Sequence, residues 1–306
     1  VTPVPELQTL SLGLYDLVFY ALVAAGFALF AYFVYTWKTT SEIAPKYRPA
    51  VLADLLIGGV AMLSYAVLAL KWDTGYDLVG NVYQPNAQAR FALAPRYIDW
   101  TVTVPLLTAE FLAVTTVVGA KARSLRFTTM AAAFLMIITG YFGSQVVSQG
   151  RSTTGLVVWG IISTLFYVYL YVALIGALRS SMPELPPAAA TSLRNAAIVL
   201  LGTFGVYPLV YAIPVFVDVT PAWLAGIQLT YSAADVLAKV GFGILVHKVA
   251  KLRTAADVEA GLTPHPEPVF ISQVQVAAAV LPPTDGAAAA AEARRAAADG
   301  RVPSRA

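Results

Sequence analysis

Seven apolar stretches follow one another along the chain, at about residues 11–37, 50–71, 92–118, 127–148, 155–178, 194–217 and 222–250. Each is near or above the roughly 20 residues a helix needs to cross a bilayer core, so the pattern predicts seven membrane-spanning helices. Turn-forming or charged clusters separate them, among them Lys46-Tyr47-Arg48-Pro49, Asp73-Thr74-Gly75, Lys121-Ala122-Arg123 and Met182-Pro183-Glu184. The first run is too long for a signal-peptide core and is counted as a span. Ten-residue segments alternating with period two are missing, which argues against a transmembrane barrel. The expected fold class is therefore all-α, an integral membrane bundle of seven helices over residues 11–253, with a short external segment 1–10 before it. From 254 to 306 the chain becomes rich in Ala and Pro, and an unstructured tail is expected there.

Composition narrows the chemistry. Of 306 residues, 58% are apolar or aromatic and 12% are charged, about half the roughly 25% of a soluble domain. Mean hydropathy is +0.69. A net charge of +3 supplies no basic patch for a phosphate backbone, so nucleic acid is not an expected partner. Cysteine is absent, and the two histidines, His247 and His265, lie late in the chain. Disulfides and thiolate chemistry drop out and histidine metal or triad chemistry nearly so, which leaves an integral membrane protein that must work with carboxylates, lysine, arginine and aromatics and makes an enzyme the remote option. Basic residues crowd one set of connections (Lys38, Lys46, Arg48, Lys121, Arg123, Arg126, Arg179, Arg194, Lys248, Lys251, Arg253), against Lys71, Arg90 and Arg151 on the other. By the positive-inside rule the N-terminus is outside and the C-terminus inside a cell (inner) membrane.

Charges inside the spans are the informative residues, since one near the bilayer centre costs at least about 2.5–3.5 kcal/mol. Six stand out: Asp54 in helix two, Arg96, Asp99 and Glu110 in helix three, Asp235 and Lys239 in helix seven. Asp99 and Glu110 are eleven positions apart, which returns to within about 20° of one face and separates them by roughly 16 Å along the axis. Thr103 lies one turn inward from Asp99. Arg96 lies one turn outward, where it is expected to hold Asp99 ionised. Pro105 interrupts the backbone ladder between the two acids. Asp235 and Lys239 are i, i+4 neighbours, and either form a simple ion lock or set a reactive amine beside its counterion. A free ammonium so deep is poorly solvated, and the amine suits Schiff-base formation with an aldehyde. Phe204, Tyr207 and Tyr211 share a stripe of helix six, which is either packing or a cofactor wall.

These residues resemble the microbial rhodopsins over about residues 10–250. The resemblance rests on Arg-Tyr-x-Asp-Trp-x-x-Thr-x-Pro from Arg96, on Tyr207-Pro208, and on Asp-x-x-x-Lys-x-Gly-Phe from Asp235 to Phe242. It implies all-trans-retinal on Lys239, with Trp100, Tyr65, Phe204, Tyr207, Pro208, Tyr211 and Met136 around it. The Asp99, Thr103, Glu110 set is similar to that of proteorhodopsin-type outward proton pumps. It implies Asp99 as proton acceptor, Asp235 as second counterion, and Glu110 as proton donor. Arg96, Tyr65 and Tyr207 would complete a hydrogen-bonded cluster. The partners so implied are protons, the lipid bilayer and further copies of the chain in a trimer or pentamer.

Some positions depart from that pattern. Ser64 stands before Tyr65 where proteorhodopsins usually carry histidine, and Phe204 replaces a usual tryptophan. Paired glutamates for proton release are missing, leaving Asp218 as the nearby acid. Gly160 matches the glycine that opens a side window for a carotenoid antenna in xanthorhodopsin-type relatives; a small residue for helix contact is the alternative. Asp54, eleven residues before Tyr65, is expected either to share a proton or water with Glu110 as a coupled pair, or to lie near the surface against Arg48 or Lys46. A sensory receptor and a light-gated proton or cation channel are the competing functions.

Overall fold

A computed structural model describes residues 7–89, 94–271 and 274–280. Seven helical rods account for most of them: α1 (Leu12–Lys38), α2 (Arg48–Thr74), α3 (Ala94–Ala113), α4 (Gly119–Tyr141), α5 (Thr153–Ser181), α6 (Pro187–Phe216) and α7 (Pro221–Glu259). Each packs on the next and α7 packs back on α1, so the rods close into a ring around an apolar core that encloses a buried charged cluster. Large apolar side chains such as Phe27, Leu165, Val172 and Leu209 are exposed on its outside. That inversion suits a lipid solvent, which can hydrogen-bond nothing and so requires helices whose backbone is satisfied internally. Among the described residues six rods are long and apolar enough to span a membrane. The seventh, α3, falls short because Arg96, Asp99 and Glu110 sit within its 20 residues. The chain is a seven-helix, multi-pass membrane protein.

Start signals are local. Ser11, Ser152 and Thr220 each place a side-chain oxygen on a backbone N–H of the first turn of α1, α5 and α7, satisfying a donor that the helix leaves over. α7 is not uniform. Residues Leu237–Gly241 form a wide π turn, and Lys239 lies within it.

Several boundaries differ from the sequence expectation. Lys121 and Arg123 do not break the chain; they lie in the opening turns of α4, because both are good helix formers. The break is earlier, in the turn after Ala113. At its other end α4 passes into a π turn, Phe142–Val146, followed by left-handed Ser148 and Gln149. The expected start of the third span, residues 92 and 93, lies outside the described residues.

A short sheet of order β1-β3-β2 covers one end of the bundle: β1 (Leu10–Ser11), β2 (Tyr76–Val79) and β3 (Val82–Pro85). The hairpin turns at Gly80-Asn81, where Gly80 has φ +62°, a backbone that favours glycine. Tyr83 and Trp72 both stack on Tyr15 of α1. The opposite end carries Lys38, Lys46 and Arg48 and is called the basic end below. There the tail expectation needs correction. Helix continues to Glu259, and β4 (Val269–Ile271) pairs with β5 (Val274–Ala277), packing Val269 and Ala277 on Ala255 and Val258. Burying that apolar cluster orders a stretch whose composition alone suggests a loose chain. Residues 281–306 lie outside the described residues.

Candidate functional site

The site begins with the residues that helix periodicity turns inward. Arg96, Asp99 and Thr103 of α3 and Asp235 and Lys239 of α7 are all buried to 2% exposure or less. Lys239 Nζ donates to Asp235 Oδ1 at 2.8 Å and to Asp99 Oδ2 at 3.1 Å. The expected poorly solvated ammonium is thus a paired one, between two carboxylates.

The two acids differ sharply in their surroundings. Asp235 Oδ1 also accepts from Trp100 Nε1 (2.9 Å) and the Tyr207 hydroxyl (2.7 Å). Its Oδ2 accepts from the Tyr65 hydroxyl (2.8 Å) and Arg96 Nη1 (3.4 Å). Asp99 has Lys239 on Oδ2, while its Oδ1 finds no protein donor among the described residues. The Thr103 hydroxyl gives its hydrogen to the backbone carbonyl of Asp99 at 3.0 Å. Charge-assisted bonds stabilise an anion in proportion to their number, so Asp235, with five protein donors, is held more firmly as a carboxylate than Asp99, with one.

Arg96 corrects one expectation. It does not pair with Asp99; its guanidinium crosses to α7, where it meets Asp235, Gln228 Oε1 (3.1 Å) and Ser232 Oγ (3.2 Å). Four of its five donors' directions are taken by that helix and by Tyr65 (3.0 Å), which a planar fork allows and a lysine would not. Ser64 donates to the Pro95 carbonyl at 3.1 Å, tying α2 to α3 rather than touching Asp99.

Beside this cluster lies a cavity of about 260 Å³, close to the lower end of the roughly 300–1,000 Å³ usual for small-ligand pockets. Trp100, Phe204, Tyr207, Pro208 and Tyr211 line it, with Met136 and Gly160 on the wall made by α4 and α5. Tyr65 is in the carboxylate cluster and not on the wall. Sequence reasoning missed Tyr231, which lines the cavity and stacks on Tyr207 at 5.9 Å. It also missed Gln228 and Ser232. The signal existed: 228, 232 and 235 are i, i+4 and i+7 on one face of α7. At Gly160 a Cβ would come within 3.0 Å of Tyr211 Cε1, so glycine admits that ring. The cavity is an aromatic, apolar slot that fits a hydrocarbon. Trp100 and Tyr207 on its wall share Asp235 Oδ1 with Lys239, which puts the amine one hydrogen-bond link behind the wall.

Nearer the basic end is a second buried acid pair. Asp54 (1% exposed) and Glu110 (0%) face one another within carboxyl-to-carboxyl interaction range. Neither Glu110 oxygen has a protein donor among the described residues, and Asp54 accepts from the Tyr32 hydroxyl. The surface alternative for Asp54 fails: Lys46 pairs with Asp257 at 2.7 Å, and Arg48 donates to the Ile43 carbonyl. Two buried carboxyls at this range repel as a pair of anions and attract when one of them carries a proton.

Comparison with known proteins bears on the fold and the family. The sequence model of the family described as bacteriorhodopsin-like protein matches residues 14–252. The crystal structure of xanthorhodopsin, described as a light-driven ion pump with dual chromophore, superposes with a TM-score of 0.75 at 34% identity, over 84% of this chain and all of that one. Sensory rhodopsin I of Haloarcula marismortui is 33% identical over 74% of this chain and 86% of its own length. The blue-light absorbing proteorhodopsin of Gamma-proteobacterium Hot 75m4 is 24% identical over 75% of this chain and 83% of its own.

The unequal surroundings of the two acids have a measurable consequence. Asp235→Ala strands Arg96 and removes the acceptor of five donors, and should cost about 3–5 kcal/mol of stability. Asp99→Ala removes one ionic contact and should cost clearly less. Thermal denaturation of the purified, retinal-free variants compares them, and equal losses would contradict the assignment.

Proposed function

Since the family match spans most of its length, the chain belongs to the bacteriorhodopsin-like family of microbial rhodopsins, and from that premise we propose that it is a retinal-binding, light-driven outward proton pump. The observation that carries the reading is the lysine held between a saturated carboxylate and an unsaturated one, with a further pair of buried acids toward the basic end. Retinal joined through its aldehyde to Lys239 Nζ would supply the light-dependent change in proton affinity and direction of that nitrogen. Every other part belongs to the protein. Trp100, Tyr207, Phe204 and Tyr211 would fix the chromophore's orientation and exclude water.

The proton held at Lys239 Nζ has one acceptor with room for it. Asp99 Oδ2 is 3.1 Å away, and Lys239 is the one protein donor that protonating Asp99 affects among the described residues. Protonating Asp235 would require breaking hydrogen bonds from several of its five partners, so Asp235 stays as the fixed counterion. Glu110, without donors and sharing a proton with Asp54, would return a proton to Nζ from the other side. The bias of basic connections makes the basic end cytoplasmic and the direction outward, across a cell (inner) membrane. A trimer or pentamer of such bundles, embedded in lipid, is the expected assembly.

A carotenoid antenna is a second reading for one wall of the cavity. It is favoured by Gly160 and by exposed Val157 and Ile161 beside it, and by the dual-chromophore description of xanthorhodopsin. An excitation spectrum after addition of a hydroxylated carotenoid should then show energy transfer to the retinal band; a Gly160→Trp variant should abolish it.

Illumination of retinal-supplied cells in weak buffer should acidify the medium, and a protonophore should abolish the change. Lys239→Ala should remove the colour, and Asp99→Asn should keep the pigment and stop transport. A bleachable pigment with no pH change would move the reading to a sensory receptor, and flux that only follows an existing gradient would move it to a channel.

Glu110→Gln should slow return of the proton to Lys239 by about a hundredfold, as read by flash photolysis. Asp54→Asn should slow the same step severalfold. A wild-type rate in Asp54→Asn would dissolve the coupled pair.

A further inference from the structure

His247 is a buried titratable group that the pumping cycle so far leaves without a part. It projects from α7 at 1% exposure into the space between α1 and α2. Its Nε2 is 2.8 Å from the Thr39 hydroxyl, and Thr39 is half-buried at the end of α1. Its Nδ1 has no hydrogen-bond partner among the described residues and points to Asp54 Oδ2, which has none either, at 3.9 Å. That gap is slightly too long for a direct hydrogen bond and falls in the range that one bridging water spans. A small rotation of either side chain closes it.

The neighbours make this a corridor with one direction. Tyr35 of α1 lies against the imidazole, ring centroids 5.5 Å apart. Asp54 of α2 carries Tyr32 on one oxygen and faces Glu110 of α3. Lys251, one turn along α7 from His247, is neutralised by Glu42 at 2.9 Å, and Glu42 also accepts from the backbone N–H of Phe270. Gly243 allows the approach: a Cβ there would collide with the Tyr32 hydroxyl and Asp54 Oδ1. A buried histidine usually satisfies both ring nitrogens. This one satisfies the outer nitrogen and aims the inner one at Asp54 Oδ2, the oxygen of that acid without a hydrogen-bond partner among the described residues.

We propose that His247 is a proton relay, connecting Thr39 at the basic end to the Asp54–Glu110 pair and so refilling the donor. The ring takes a proton at Nε2 from the Thr39 hydroxyl, which is refilled from water. It gives one from Nδ1 to Asp54 Oδ2, and exchange with water, one proton lost at Nε2 and one regained at Nδ1, restores the starting tautomer. One proton enters and one leaves, with no other reactant. The inference rests on the donor reading of Glu110 given above, and acts through Asp54, so His247 is a positioning residue for uptake.

The test uses the full chain with retinal in lipid vesicles, following flash-induced proton uptake with a pH-indicating dye. His247→Gln keeps a hydrogen-bonding side chain that cannot carry the proton. Uptake should slow by about tenfold or more, and added imidazole should restore it. In the retinal-free protein, the same variant should shift the infrared carboxyl C=O band that Asp54→Asn removes. Thr39→Val, at a half-buried position, should slow uptake in the same way and covers the case where His247→Gln does not fold. A wild-type uptake rate in His247→Gln or in Thr39→Val overturns the relay, and so does slowing that imidazole cannot rescue. Glu110→Gln separates the two ideas: if it slows uptake while His247→Gln does not, the relay alone falls. If Glu110→Gln itself changes nothing, the donor reading falls first.

Discussion

Charge balance in a medium that cannot solvate charge governs this molecule. Two cations, Arg96 and Lys239, and two anions, Asp99 and Asp235, are buried together, and the closest contacts among them run from 2.8 to 3.4 Å. Any one of them alone would be expelled from a bilayer interior or neutralised. The ring of seven helices is the smallest part of the explanation; it supplies the enclosure. What fixes the interior is that α3 and α7 each bring one acid and one base to the same level, so neither helix can shift along its axis without stranding a charge.

The fold spends its irregularities where that cluster needs room. Leu237–Gly241 is a π turn, and the lysine lies inside it; such turns recur where a helix must present a functional side chain. Pro105 lies within α3 between Asp99 and Glu110, and Pro208 and Pro214 lie within α6 beside the cavity. A helix interior loses a hydrogen bond at each proline, which a packed neighbour must make tolerable. The aromatic wall does so by filling volume with rigid side chains that lose little freedom on ordering.

The number and order of the helices were legible from apolar run lengths alone, and the site's charged core from ionisable residues in those runs. Three things were not. The hairpin over residues 76–85 is short, and its Gly-Asn turn was the available clue. The order beyond residue 259 comes from apolar contacts between β4, β5 and α7 that composition does not encode. Arg96 was assigned to Asp99 because periodicity counts neighbours along a helix, while a long guanidinium side chain reaches across to another. His247 illustrates the last limit. On a uniform helix, twelve residues at 100° put it about 120° from Asp235. The wide turn absorbs one residue, and eleven return it to within about 20° of that face, which is where Asp54 waits.

In the proposed pump one chemical group, the carboxyl, would do three jobs, and its supply of donors would decide which. Asp235 has five: Lys239, Trp100, Tyr207, Tyr65 and Arg96. Holding so many, it can neither take up a proton cheaply nor move, and is suited to be a constant negative field. Asp99 has one protein donor, Lys239, so in the proposed pump a proton crossing 3.1 Å from the lysine would convert an ion pair to two neutral groups and disturb no other protein hydrogen bond to Asp99. Glu110 has no donor but a facing acid, so it is comfortable only while a proton is shared. Moving from Asp235 to Asp99 to Glu110, each carboxyl is less well solvated as an anion by the protein. That ordering, set by tyrosine, tryptophan and arginine placement rather than by the acids themselves, gives a proton a reason to leave one end of the series and to be replaced at the other.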